Sequence, residues 1–388
     1  MDFQLTNVHF HLQDGTLVQG CIEVAEGVIK DIILENRSRK SALKTIDGNN
    51  GIVLPGFIDI HIHGGYGADV MDGTPEALKK MADRLPSEGT TSFLATTITQ
   101  STDEIAKAVA NVKSYMANRE YGFAELLGIH LEGPYINSEQ AGAQNKKFIE
   151  KPSLSHLKKL FKGHLDNLEI VTFAPELDDN FQMLDKLAKQ NIIVSAGHTS
   201  ANNDLLKEAM NRGVTHLTHI CNAMKGIHHR DMGPVGTAIL DKRLYIELIA
   251  DGVHVGKEML TLLYKCVGPD RIMLITDSIR AKGLIDGEYS LGGQIVNVTN
   301  KKATLKNGTL AGSVLKLNEA LKIMREATGA TLYELEIMSS ATAAKRLGIW
   351  DRKGSIERGK DADMVVLNSA LDVEMTYCKG RLAYKKRN

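Results

Sequence analysis

Between residues 56 and 347 the chain alternates, eight times over, between short runs of β-forming residues and longer helix-patterned segments. Strand-like runs lie at 56–62, 91–97, 126–132, 169–174, 192–197, 215–219, 244–250 and 271–277. Helix-patterned stretches separate most of them, at 75–85, 101–117, 153–161, 180–189, 202–212 and 257–266. Two more follow the last strand, at 315–328 and 332–347. Strand, helix and strand in series make a parallel pair joined by a crossover. Eight such units match a closed (β/α)8 barrel of the TIM type, an α/β fold of about 250 residues. An open doubly wound sheet is the alternative. It usually has fewer strands and often a Gly-rich phosphate loop, yet no GxGxxG or GxxxxGK[ST] opens a helix here.

The two ends have a different texture. Residues 3–10, 21–24 and 28–34 carry β-formers, with turns at Asp14-Gly15 and Glu26-Gly27, and 48–51 reads as a loop. Short β-like runs return at 354–356, 362–367, 373–377 and 382–384. Chain ends often lie close together. Residues 1–54 and 355–388 are therefore expected to fold as one small β domain beside a barrel domain of 55–354.

Composition narrows the function. The 388 residues, 43% apolar and 24% charged, suffice for a large core. Net charge is zero, and no basic stripe or aromatic platform is visible, which argues against nucleic acid or a membrane as partner. The four cysteines, Cys21, Cys221, Cys266 and Cys378, are scattered with no CxxC, as suits reduced thiols. No basic, apolar leader is seen, and no apolar run reaches the ~20 residues of a membrane span. Cytoplasmic residence is the expectation.

In a barrel, chemistry gathers at the C-terminal ends of the strands. The first run, GFIDIHIHGG, puts Asp59, His61 and His63 on one face, because side chains alternate along a strand. Alone, this HxH also fits a half-buried strand with two hydrogen-bonded histidines. The third run ends in Glu132, the fifth in His198, the sixth in His219, the seventh in Asp251 and His254, and the eighth in Asp277. Imidazoles and carboxylates meeting at one rim suit Zn²⁺, Fe²⁺ or Mn²⁺. His216, three before His219, reads as a packing residue. His130 reads as a buried support one layer below Glu132. Cys221 reads as packing, and His9, His11, His156 and His164 as surface residues.

The segments HIHGG at 61–65, HLEGPY at 130–135, GHT at 197–199, HICNAM at 219–224, ADGVH at 250–254 and ITDS at 275–278 resemble the amidohydrolase superfamily. Within it they are similar to the branch that deacetylates phosphorylated amino sugars, over nearly the whole chain. The resemblance implies a (β/α)8 barrel with a small β-sandwich built from both ends. It implies one or two divalent metals per subunit: one held by Glu132, His198 and His219 and, as in members that keep the histidine pair, a second held by His61 and His63 that shares Glu132. Zinc or iron is the implied metal, with manganese or cobalt as alternatives. The implied reaction is hydrolysis of the N-acetyl group of N-acetylglucosamine 6-phosphate, giving glucosamine 6-phosphate and acetate in amino-sugar breakdown and cell-wall sugar recycling. Asp277 is the implied proton shuttle and a further ligand. His254, and Arg230 reaching across a homodimer, are the implied phosphate contacts. Ala143, Gln144, Asn222, Ala223, Asp251, Leu310, Ala311 and Gly312 complete the implied substrate pocket.

Departures from the branch are informative. Gln144 stands where some members carry His; it can donate a hydrogen bond but cannot titrate. Many amidohydrolases bridge two metals with a lysine at the fourth strand, but LEIVTFAPE offers none there, so Glu132 must take that place. Ser278 stands where many members have a small apolar residue, and no GxSxG surrounds it. Another amide substrate, such as a cyclic imide or a dipeptide, stays open at this point, as does an inactive barrel serving as an interaction module.

Overall fold

A computed structural model describes residues 2–34, 42–118 and 121–387. Eight parallel strands follow one another around a ring: Phe57–Ile62, Thr90–Thr97, Glu125–Glu132, Leu168–Phe173, Ile193–Ala196, Val214–Leu217, Tyr245–Ile249 and Ile272–Ile275. The eighth closes on the first just beyond its own end. There the Asp277 N–H donates to the His61 carbonyl at 2.8 Å, and the Ser278 carbonyl accepts from the His63 and Gly64 N–H groups at 3.0 and 2.9 Å. The seam thus shuts at the rim that carries the candidate ligands. The expected barrel is present.

Local sequence explains the elements. Phe57–Ile62 and Thr90–Thr97 are buried at every position, as strands covered on both faces must be. Helix Pro75–Arg84 starts on Thr74, whose hydroxyl accepts the Ala77 N–H, with proline at the first helical position. It buries Leu78, Met81 and Ala82 at helical spacing against the barrel.

Three elements depart from the sequence expectation. A helix, Gly233–Leu240, lies between the sixth and seventh strands; its first six residues are all buried, so it lacks the polar face that marks a helix in sequence. A three-stranded antiparallel sheet, Gly287–Leu291, Gln294–Thr299 and Lys302–Thr304, is inserted after the eighth strand. The stretch 332–347 is helical over Leu332–Glu336 and Thr342–Arg346 but widens to a π turn at Ile337–Ala341.

The two chain ends form one seven-stranded sheet, in the order Arg381–Lys385, Val373–Cys378, Met364–Leu367, Lys44–Pro55, Phe3–His11, Leu17–Ala25, Val28–Leu34. Lys44–Pro55 joins the ends: it pairs parallel with Phe3–His11 and antiparallel with Met364–Leu367. Residues 48–51, expected as a loop, lie inside it. Asn7, Asn49 and Asn50 take left-handed backbone angles, with φ of 55°, 53° and 56°, so the Asn/Gly cluster makes an irregular step in the ladder without ending the strand. Phe3, Leu5, Val8, Phe10, Val53 and Val366 give this sheet a core of its own. His11 is buried rather than on the surface, with Nδ1 3.0 Å from Glu336 Oε2. His156 is half-buried between the Thr102 and Tyr135 hydroxyls, at 2.9 and 3.1 Å.

An ion cluster ties the sheet to the barrel. Glu125, on the third barrel strand, meets Arg352 at 2.8 Å and Lys353 at 2.9 Å; Arg352 also meets Asp361 at 2.8 Å, and the buried Lys353 pairs with Asp363. Burial raises the Glu125 pKa, but Lys353 and Arg352 outweigh it and hold the group at about 2. Its contribution to stability is therefore full above the ordinary value of 4.5 and is lost as pH falls toward 2. Lys353→Met should destabilise the fold by about 3–5 kcal/mol in urea denaturation at neutral pH. Glu125→Gln should flatten the loss of stability in that acid window. Unfolding midpoints that neither change moves would show that the cluster does not clamp the two units.

Candidate metal centre

Six side chains from five strand ends meet at the rim: His61, His63, Glu132, His198, His219 and Asp277. Glu132 stands at their centre and is buried. Its Oε1 lies 3.0 Å from His219 Nε2, 3.2 Å from His198 Nε2 and 3.5 Å from His61 Nε2; its Oε2 lies 3.3 Å from His63 Nε2. Asp277 Oδ1 is 3.2 Å from His63 Nε2 and 3.6 Å from His61 Nε2. The donors form two sets, Glu132–His198–His219 and His61–His63–Asp277, each close enough to hold one ion. His198, His219 and Asp277 take left-handed backbone angles, with φ of 49°, 31° and 46°. Such a conformation costs a non-glycine residue about 1–3 kcal/mol and persists where the surroundings impose it. Here it turns each side chain inward at the end of its strand.

The imidazoles are fixed by what their other nitrogens do. His198 Nδ1 donates to the Gln140 carbonyl at 2.8 Å, and His63 Nδ1 to the Thr96 carbonyl at 3.2 Å. A carbonyl only accepts, so Nδ1 carries the proton and Nε2 presents a lone pair to the centre. His61 Nδ1 faces Glu247 Oε2 at 2.8 Å, while its Nε2 is fully buried without a hydrogen-bond partner among the described residues. Lone pairs aimed at carboxylate oxygens repel unless a cation lies between them. Nitrogen and oxygen donors at roughly 2.0–2.1 Å from a tetrahedral zinc stand about 3.3 Å apart. The spacings of 3.0–3.3 Å around Glu132 fit such an ion.

The electrostatics agree. Burial disfavours charge on His63, yet Asp277 and Glu132 hold its pKa well above the ordinary value. Burial likewise acts against His219, and Glu132 holds it at about 9. Glu132, despite its burial, is held far below the usual carboxylate range, first by His61 and then by His198, His219 and His63. His61 goes the other way, burial lowering its pKa to about 4, so the rim draws positive charge at His63 and His219, whether as protons or as a cation.

Above the centre lies a cavity of about 370 Å³. His63, Glu132, His198, His219 and Asp277 reach it, and His61 lies buried beneath. Of the expected pocket residues, Ala143, Gln144, Asn222, Ala223, His254, Leu310 and Gly312 line it. Gln144 is locked: its Oε1 accepts the Thr99 N–H at 2.8 Å and its Nε2 donates to Glu132 Oε2 at 2.5 Å. Asp251 stands behind His254, with Oδ2 2.7 Å from Nδ1. Ala311 does not line the cavity; its N–H donates to the Ala303 carbonyl at 3.1 Å and its methyl joins an apolar cluster with Ile279 and Leu291. Arg230 is exposed on its loop, outside the cavity of its own chain. Cys221 is also off the cavity.

His130 is the buried support expected, donating from Nδ1 to the Ile60 carbonyl at 2.9 Å and accepting from the Thr172 hydroxyl at 2.7 Å. His216 packs away from the rim, stacked on Tyr245 with ring centres 5.5 Å apart. Ile98, Glu139, Gln140, Leu291 and Thr309 line the cavity without having been singled out in the sequence. So does Glu247 stand unannounced beneath His61; its signal was a carboxylate inside the apolar run YIELIADG, in step with Asp251. His219→Ala should weaken zinc binding by more than about 100-fold, beyond the loss typical of a ligand's outer partner. Cys221→Ala should leave it unchanged. Competition with a chromophoric chelator measures both, and a His219→Ala protein that binds zinc normally would remove this residue from the centre.

A sequence model of the amidohydrolase family matches residues 52–383. The chain is 44% identical over 374 residues, 96% of its length and 94% of the relative's, to the N-acetylglucosamine-6-phosphate deacetylase of Bacillus subtilis. It is 35% identical over 371 residues, 96% of each chain, to the N-acetylgalactosamine-6-phosphate deacetylase of Escherichia coli O157:H7. The solved N-acetylglucosamine-6-phosphate deacetylase of Thermotoga maritima superposes with a TM-score of 0.88 at 35% identity, covering 99% of this chain and 100% of that one. With a match over most of its length and a barrel rim of imidazoles around a carboxylate, this chain belongs to the amidohydrolase family.

Proposed function

We propose that this protein hydrolyses N-acetylglucosamine 6-phosphate to glucosamine 6-phosphate and acetate. The observation that carries the reading is the meeting of Glu132, His198, His219 and Asp277 on the floor of a cavity of about 370 Å³, of a size that takes one sugar phosphate. The gluco substrate is preferred to the galacto epimer because the relative named for it is 44% identical, against 35%.

Glu132, His198 and His219 would hold one divalent ion, zinc or iron in this reading, and His61, His63 and Asp277 a second beside Glu132. When bound, such an ion supplies Lewis acidity that makes water nucleophilic near neutral pH and polarises a carbonyl. The side chains do the rest. The Asp277 carboxylate takes the proton of the attacking water and passes it to the amide nitrogen, since an amine departs only once protonated. The locked Gln144 amide holds Glu132 in place beside the acetyl group. Asn222 ties down the turn after the sixth strand through the His219 and Ile220 carbonyls, at 3.3 and 3.2 Å, and sets Ala223 against the sugar. Leu310 and Gly312 form the opposite wall.

The phosphate is bound by His254, which Asp251 orients, and by Arg230 of a second subunit. Arginine offers a planar fork that matches phosphate oxygens. Its exposure outside its own cavity, and the exposed Ile227 and Val253 near these two residues, support a homodimer that brings it to the neighbouring site. Cytoplasmic residence goes with this substrate. No helix of the described residues is long and apolar enough to cross a membrane, and Cys221, Cys266 and Cys378 are free thiols.

Asp277→Asn should cut turnover by at least ~10²-fold while the ion at Glu132, His198 and His219 is retained; near-normal turnover would take the proton shuttle away from this residue. Arg230→Ala should raise KM sharply for the phosphorylated sugar and little for N-acetylglucosamine. After subunit exchange, a mixture of the Asp277→Asn and Arg230→Ala proteins should regain activity, because each hybrid dimer contains one complete site. If mixing restores nothing, the arginine does not cross between subunits.

A further inference from the structure

Below the candidate centre, inside the barrel, stands a carboxylate with no part in the reaction as described. Glu247, on the seventh barrel strand, is fully buried. Its Oε2 lies 2.8 Å from His61 Nδ1, and its Oε1 is buried without a hydrogen-bond partner among the described residues. A backbone N–H of His219 approaches the carboxylate, but among the described residues His61 is its one side-chain hydrogen-bond partner. No lysine or arginine of the described residues pairs with it. His130 comes to 3.9 Å, beyond hydrogen-bond reach, and gives that N–H to the Ile60 carbonyl. A carboxyl group removed from water in this way is costly to keep charged unless positive charge reaches it; otherwise it takes up a proton.

The other face of the His61 ring supplies a route. Its Nε2 is buried without a hydrogen-bond partner among the described residues, 3.5 Å from Glu132 Oε1 and 3.6 Å from Asp277 Oδ1. A cation held by Nε2 requires the ring proton on Nδ1, the atom that faces Glu247. We propose that Glu247 is the positioning residue of the second metal position. It accepts the Nδ1–H of His61, fixes Nε2 as the ligand atom beside His63 and Asp277, and strengthens that ligand with its charge. Outer partners of this kind change metal affinity by about 10–100-fold. The proposal rests on the two-ion reading given above and adds to it an order of dependence: the second ion needs Glu247 and the first does not.

The test is titration of chelator-stripped protein with Zn²⁺ against a chromophoric competitor. Wild type should take two equivalents per chain. Glu247→Leu should take the first as wild type does and the second about 10–100-fold more weakly. Glu247→Gln keeps an acceptor but loses the charge; it should weaken the second equivalent to a smaller extent, and it decides the matter if the leucine variant does not fold. His61→Gln should lose the second equivalent, and adding Glu247→Leu to it should leave the first equivalent as tightly bound as in His61→Gln alone, because Glu247 acts through His61. Glu247 variants that bind both ions as wild type does would overturn the proposal while leaving the two-ion reading intact. Further weakening in the double variant would overturn it in favour of a general structural role. A wild-type protein that takes one equivalent would overturn the two-ion reading itself, and the proposal with it.

Discussion

Glu132 carries a carboxylate that has been taken out of water and set among the Nε2 atoms of four histidines, at 3.0 to 3.5 Å. A buried charge in that position is tolerable only if it is paired, and most of the barrel rim serves to pair it. The histidines come from the first, fifth and sixth strands, so they converge only when the ring is closed. Closure is made by backbone hydrogen bonds between His61, His63, Gly64 and the 277–278 turn, which also carry Asp277 to the same point. Fold and site therefore share one seam.

Barrel interiors are usually packed with branched apolar side chains. This one is threaded with hydrogen bonds. Because His130 donates to the Ile60 carbonyl, the chain has a direction: Ser195 to Thr218 at 2.6 Å, Thr218 to Thr172 at 2.6 Å, Thr172 to His130 at 2.7 Å. Asp59 joins the first strand to the eighth through the Thr276 hydroxyl at 2.6 Å, and burial lifts its pKa to about 7. Such groups add less to stability than apolar packing would, but they hold rings and carboxylates in single orientations. The opposite task, clamping the small sheet to the barrel, falls to the ion cluster around Lys353, which is made of residues absent from the cavity.

Much of this was legible in the sequence, for physical reasons that differ by element. Strand-to-helix alternation shows because parallel barrel strands are short apolar runs and their covering helices have two faces. The strand-end histidines and carboxylates show because polar groups that close an apolar run stand out. Helix Gly233–Leu240 did not show, since it is apolar on nearly every side. The bulge at Asn49 and Asn50 looked like a loop because the residues that break a strand are those that bulge one. Glu247 was hidden by its apolar neighbours, and its part emerges only when the seventh strand is set beside the first. The inserted sheet, which brings Leu291 to the cavity wall, has no helix to announce it. Arg230 is a different case: a single chain gives it no cavity to face.

The most direct measurement is acetate release from N-acetylglucosamine 6-phosphate by chelator-stripped protein as zinc or iron is returned in known amounts. Release should be absent from the stripped protein and should rise in proportion to bound metal until the rim is filled. Undiminished release after stripping, or a fully loaded protein that leaves the sugar phosphate acetylated, would contradict the assignment of the Glu132 centre.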